Sequence, residues 1–260
     1  MARSTTAEPP SPAPGEERSD RLLTIFEHLK ELRYRVMMSS ISVVIGLVIS
    51  AIFADDFLQL LIEPAEEQHP GPRLQFIEPF ENFVTYFRVA LLGGLVIAMP
   101  MIVYHGLRFV TPALRGSERL WLYGTVVGSS VLFLSGVAFA FFVALPPALD
   151  FLLNFNNDLA EPNIRIGSYV DFVTRLLFWT GVSFQTPLIV MFLARIGLVR
   201  ASQLLAWWRL AIIAAFVVAA IVTPSIDPVT QSFVAGPIIV LYFFGVGLAV
   251  IVQPRRPREQ

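Results

Sequence analysis

Long uncharged apolar runs alternate with short polar connectors along most of the chain. A helix of about twenty apolar residues crosses the roughly 30 Å hydrocarbon core of a bilayer. Six such spans can be placed, at about Val36–Ala54, Val89–Leu107, Leu120–Leu149, Leu176–Ala194, Leu210–Val222 and Phe233–Val252. The third is long enough, at roughly 45 Å if helical, that it must tilt or protrude. Pro146-Pro147 is expected to disrupt its far end. The fifth is brief. The pattern predicts an all-α polytopic membrane protein with six transmembrane helices and both termini on one side.

The connectors carry their own signals. Thr24 with Glu27 fits a capping box, and Leu22, Ile25, Phe26, Leu29 and Leu32 then recur at helical spacing, with Glu27, Lys30, Glu31 and Tyr34 facing elsewhere. This predicts a short amphipathic helix lying on the membrane surface before the chain turns inward. Asp55 to about Phe83 reads as an acidic loop containing Pro64, Pro70, Pro72 and Pro79. Ser168, with Asp171 three residues on, resembles a cap for the fourth helix, Gly197 ends that element, and Leu198–Arg209 reads as a connector. Asp227 before Pro228 suits the cap and first turn of the last helix. Gly124/Gly128 and Gly136/Ala140/Ala144 form a strip of small residues on which another helix can pack closely, within the chain rather than between copies. The domain reading is a disordered tail at 1–20, a six-helix unit at 21–252 and a basic tail at 253–260.

Composition agrees with a membrane protein. The 260 residues are 55% hydrophobic and 15% charged, against about 25% charged in soluble domains. A net charge of −1 argues against nucleic acid as a partner, and the absence of cysteine excludes disulfides and thiolate ligands. Residues 1–20 lack the apolar core of a signal peptide. Of the 19 Lys and Arg, only Arg73, Arg88, Arg165 and Arg175 fall on the side opposite the termini. That bias places the termini and the Arg108–Arg119 connector in the cytoplasm.

Signatures of catalysis are poor. No zinc-protease, serine-hydrolase or phosphate-loop motif occurs, and His28, His69 and His105 are scattered, so no metal or cofactor is expected. The cytoplasmic acids outside the tail are Glu27, Glu31 and Glu118. Glu31 can pair with Arg35 four residues on, and Glu118 after Ser117 can favour the positive end of the third helix. Alternatively, two carboxylates on one rigid face would each accept a guanidinium in a planar, bidentate geometry that prefers arginine to lysine. Within the spans Gln185 is the strongest polar outlier, and a buried amide needs a partner, in this chain or on a docking helix.

Four separated stretches resemble one family in register. His28-Leu29-Lys30-Glu31-Leu32-Arg33-Tyr34-Arg35 resembles the N-terminal motif of TatC, the signal-peptide receptor of the twin-arginine translocase. Phe109-Val110-Thr111-Pro112-Ala113-Leu114 with Glu118-Arg119 resembles that family's first cytoplasmic loop. Gly181–Pro187 and Thr223–Gln231 resemble its fourth-span and last-loop motifs. The resemblance, covering roughly 22–252, implies a concave, glove-shaped bundle in the bacterial cytoplasmic membrane. It implies that Glu31 and Glu118 hold the paired arginines of export signals, with Arg33, Phe109 and Arg119 beside them. It places Gln185, Pro64 and Asp227 with docking of the single-span subunits TatA and TatB, and it implies other TatC copies as partners and the proton gradient as driving force. Many members carry Glu where this chain has Gln185, which cannot titrate.

The expected function is therefore a non-enzymatic receptor and core subunit that binds twin-arginine signal peptides and recruits partner helices to export folded proteins. The alternative is a small-solute secondary transporter, which would show internal repeats and a polar midplane site. No convincing repeat is present. An intramembrane hydrolase would need His105 and a serine at membrane depth.

Overall fold

The structure, a computed structural model, describes residues 14–68, 74–110, 118–154, 165–223 and 228–252, with side chains over 26–65, 74–109, 123–152, 165–223 and 228–252. The described residues are helical apart from short connections and one parallel bridge between Gln75 and Arg165. Five helical stretches are long and apolar enough to span: Phe26–Ile52, Glu81–Phe109, Tyr123–Leu152, Ile166–Arg195 and Pro228–Val252. The sixth apolar helix, Trp208–Val222, has 15 residues, about 22 Å, short of a full hydrocarbon core.

The first helix, α1 (Pro14–Ile52), is continuous over 39 residues, so no turn separates an amphipathic surface helix from the first span. It also begins inside the segment read as a disordered tail. No proline, glycine or competing cap interrupts the sequence between Leu32 and Val36. The exposed Phe26, Leu29 and Leu32 lead directly into the exposed face of the span, at Val36, Met37, Ile41, Val44, Ile45 and Val48. One helical stripe therefore serves both segments.

The acidic segment after α1 is not simply a loop. It opens with α2 (Ala54–Gln68), which begins with Asp55 and Asp56, favourable at a helix N-terminus, and holds Pro64 within it. Next come α3 (Glu81–Val110) and α4 (Glu118–Phe139). The prolines expected to disrupt the third span are accommodated instead. A π-helical turn at Ala140–Ala144 precedes α5 (Leu145–Asn154), and the Leu145 N–H donates to Ala140 O. The last donor before Pro146-Pro147 thus reaches one residue further back, and the helix continues past the imino acids.

The fourth span breaks into α6 (Ile166–Ser183) and α7 (Thr186–Arg195), with Pro187 in the first turn of α7. Gly197, at φ 78°, ends it in the left-handed conformation that glycine adopts freely. The connector after it contains α8 (Ala201–Ala206), followed by α9 (Trp208–Val222) and α10 (Pro228–Val252).

Half of the most apolar window in the α6–α7 stretch is buried, against 28% or less in the other spans, so this stretch is the central post. Val170, Val173 and Leu176 of α6 pack with Val89 of α3, Leu145 of α5 and Val222 of α9. Along the flank, α1 and α3 run antiparallel at backbone contact. A Cβ on Gly94 would lie 2.6 Å from Leu47 N, and one on Gly46 would collide with Gly94 O. Tyrosine hydroxyls tie helices to carbonyls: Tyr86 donates to Ala51 O at 2.7 Å, Tyr169 to Leu61 O at 2.6 Å and Tyr242 to Leu204 O at 2.6 Å. In lipid such carbonyl contacts have no water to compete with them.

Candidate functional site

At the end where α3 finishes and α4 begins, the His28 ring of α1 stacks on Phe109 of α3, centroids 4.5 Å apart. This contact holds the start of the first motif against the end of the first span's partner. One turn further along α1, the Glu31 carboxylate is partly exposed and accepts from Arg35 Nη2 at 2.9 Å. Arg33 is exposed to the surroundings on the same helix. Glu118 is the first residue of α4 and Arg119 the second, which places their backbone at this same end of the bundle. Their side chains, and Thr111–Ser117, lie outside the described residues.

The other predicted positions are scattered. Pro64 lies in α2, at the far end from Glu31. Asp227 lies outside the described residues, and α10 starts at the proline after it. Gln185 sits at the α6–α7 break, 6% exposed. Its Oε1 accepts from Ser129 Oγ at 2.5 Å and its Nε2 donates to Ser129 O at 3.0 Å. Both ends of the amide are therefore satisfied by a single α4 residue, the internal of the two partners open from sequence.

The small-residue strip divides at this level. Gly136 faces Gly181 and Phe184, whose atoms would lie 2.8–2.9 Å from an added Cβ, and Ala140 and Ala144 are buried. Gly124 and Gly128 have nothing within 4 Å of that position.

A polar cluster at the opposite end was not singled out by sequence reasoning. Ser168 and Asp171 do not cap α6; the N-cap is Arg165, which makes no side-chain cap hydrogen bond. The acceptor comes from α3 instead. Glu81, 5% exposed, accepts through Oε1 from Gly167 N–H at 2.7 Å and Arg165 Nε at 2.8 Å. Its Oε2 accepts from the N–H groups of Ile77 at 2.9 Å and Glu78 at 3.2 Å. The hydrogen bond from Arg165 to Glu81 raises the guanidinium further above its already high pKa. Arg165 Nη2 also meets Glu78 at 3.0 Å, while Asp171 bridges Arg88 at 3.1 Å and Arg175 at 2.9 Å. The one available signal was negative: arginine at an N-cap position cannot accept a hydrogen bond, so α6 needed a carboxylate from elsewhere.

Among the described residues no group of three or more His, Cys, Asp or Glu is arranged to hold a metal ion. The profile of the family described as Sec-independent protein translocase protein (TatC) matches residues 27–237. A relative called Sec-independent protein translocase protein TatC from Synechocystis is 39% identical over 86% of this chain and 87% of its own length. Its namesake from Carboxydothermus hydrogenoformans is 33% identical over 91% of this chain and 96% of its own. The chloroplastic protein from Arabidopsis thaliana is 40% identical over 87% of this chain, which spans 66% of that longer protein. A crystal structure titled Twin Arginine Translocase Receptor- TatC superposes with a TM-score of 0.78 at 34% identity, covering 86% of this chain and 99% of that one. The chain belongs to the TatC family of Sec-independent protein translocase proteins.

Proposed function

We propose that this chain is the receptor and core subunit of a twin-arginine translocase, with Glu31 and Glu118 gripping the two guanidiniums of an export signal. The observation that carries the reading is the partly exposed Glu31 carboxylate on α1, one turn from the His28–Phe109 stack, at the end where α4 begins with Glu118. The pair with Arg35 does not close this site. A helix-surface ion pair four residues apart is worth about 0.3–0.5 kcal/mol, whereas a hydrogen bond to a charged group reaches about 1.5–3 kcal/mol. An incoming arginine therefore displaces the internal one.

Arg33, Phe109 and Arg119 frame the peptide in this reading. The bias of cations toward the α1-start end supports a cytoplasmic side for that end, and the reading takes the membrane to be the bacterial cytoplasmic membrane. Partner helices of the TatA and TatB type, and further TatC copies, assemble around the bundle. Pro64 and Asp227 are the partner-facing positions in this reading, and Gln185 acts behind the docking surface by holding α4 against the α6–α7 break.

The test is binding of a twin-arginine peptide and its twin-lysine variant to the protein in nanodiscs. Glu31→Ala and Glu118→Ala should each weaken the arginine peptide roughly tenfold, and the lysine peptide less. Equal binding of both peptides to wild type and to both variants rejects the reading.

A further inference from the structure

The polar cluster at the opposite end does not fill its space. It surrounds a cavity of about 340 Å³ between the first two turns of α3 and the start of α6, lined among others by Glu78, Glu81, Arg88, Arg165, Ser168 and Asp171, with Phe80 beside them. Charged side chains within membrane-spanning segments are costly and face a functional cavity or a partner. Here Arg88 lies seven residues into α3 and Asp171 five residues into α6.

The lining carries both signs: two guanidiniums against three carboxylates. The ion pair of Arg88 with Asp171 uses one nitrogen, Nη1, of a group with five N–H donors. The Arg88 side chain is 40% exposed, and Glu78 opposite is 65% exposed with one oxygen engaged by Arg165. A simple anion would find more carboxylates than guanidiniums here, and a simple cation would meet two arginines. A zwitterion satisfies both.

The surroundings say what carries it. Phe80, Phe83, Val84 and Phe87 recur at helical spacing, and all are exposed, Phe80 by 79% and Phe83 by 71%. This apolar strip continues from Phe80 and Val84, which also line the cavity, along an exposed side of α3. A ligand with a compact zwitterionic head and apolar tails fits that sequence of surfaces. We infer that the cavity is a phospholipid headgroup site for a phosphoethanolamine: the phosphate diester on Arg88 and Ser168, the primary ammonium on Glu78, the acyl chains along Phe80–Phe87. Phosphocholine shares the phosphate but its quaternary ammonium donates no hydrogen bond to Glu78, so the site discriminates between the two.

The experiment is lipid retention by the full-length protein. Nanodiscs are assembled with equal phosphatidylethanolamine, phosphatidylcholine and phosphatidylglycerol, and the lipids that survive detergent extraction are measured by native mass spectrometry. Phosphatidylethanolamine should be enriched about tenfold over each of the others. Arg88→Gln should abolish that enrichment, and Glu78→Gln should reduce phosphatidylethanolamine to the level of phosphatidylcholine. Soluble phosphoethanolamine should compete, and inorganic phosphate should not. Enrichment of phosphatidylglycerol, equal retention of all three lipids, or equal competition by inorganic phosphate overturns the proposal. Should Arg88→Gln lower the melting temperature, the exposed Glu78→Gln and Ser168→Ala variants decide the matter, since neither removes a buried group. Binding of a twin-arginine peptide to these variants reads the opposite end of the bundle and should be unchanged.

Discussion

Glu81 caps α6 at its second residue, Gly167, although the two residues stand 86 positions apart: the carboxylate Oε1 accepts the Gly167 N–H at 2.7 Å. The same carboxylate takes Arg165 Nε at 2.8 Å, so a single side chain on α3 supplies both the missing cap of α6 and the counter-charge for its N-cap residue. An acid at the start of a helix also meets the positive end of the helix dipole. The contact fixes the start of the central helix against α3, and with it one wall of the polar cavity.

Removing that carboxylate should therefore cost more stability than removing its exposed neighbour. Glu81→Ala is expected to lower the melting temperature in detergent well below that of Glu78→Ala. Gly167→Ala should act in the same direction, because its Cβ would fall 2.5 Å from Glu81 Oε1. Equal melting temperatures for Glu81→Ala and Glu78→Ala would show that α6 is capped in another way.

The α1–α3 crossing depends on two glycines. Gly94→Ala places a methyl group 2.6 Å from Leu47 N, and forcing such an overlap costs about 1–3 kcal/mol. Gly106→Ala, with nothing within 4 Å, is the control on the same helix and should be neutral. Unfolding in mixed micelles measures both. A Gly94→Ala variant as stable as wild type would mean that the helices separate freely.

The Gln185–Ser129 pair is suited to a double-mutant cycle. Interhelical side-chain hydrogen bonds in membranes average about 0.6 kcal/mol and reach about 1.7 kcal/mol. Gln185→Leu and Ser129→Ala should couple in that range through the bond from Ser129 Oγ to Gln185 Oε1, since the bond from Nε2 goes to the Ser129 backbone carbonyl and survives the alanine substitution. Strict additivity of the two variants would dissociate the residues energetically.

Arg35 competes with the signal peptide for Glu31 in the proposed site. Its Arg35→Gln variant should bind a twin-arginine peptide about twofold more tightly, the equivalent of roughly 0.4 kcal/mol. Isothermal titration or fluorescence anisotropy in nanodiscs reads the change. A large loss of affinity would instead make Arg35 part of the peptide's own contact surface.

Residues whose role is set by their neighbours in sequence were legible from the chain alone. Gly197 ends the fourth span as expected because the left-handed turn is a property of the residue itself. The ion pair Glu31–Arg35 is a contact within one helical turn. Cap and loop assignments fared differently. Ser168 and Asp171 had the right chemistry for a cap but stand inside α6, whose N-terminus is served by Glu81. The acidic segment after α1 held α2, which packs its Leu61 and Ala65 into the core despite Pro64.

The amino-acid sequence by itself determined that this is a bundle of membrane-crossing helices, roughly where each apolar run lies and which family it belongs to. These follow from run length, from charge placement and from short motifs, all of which are local. The tertiary structure alone decided that α6 is the central post, that Gln185 is satisfied by Ser129, and that Glu81, Arg165, Arg88 and Asp171 meet around one cavity. A helix apolar on every side gives no sign of which face its neighbours will cover. A charge at a span's edge declares its partner only when another helix, far along the chain, is packed beside it.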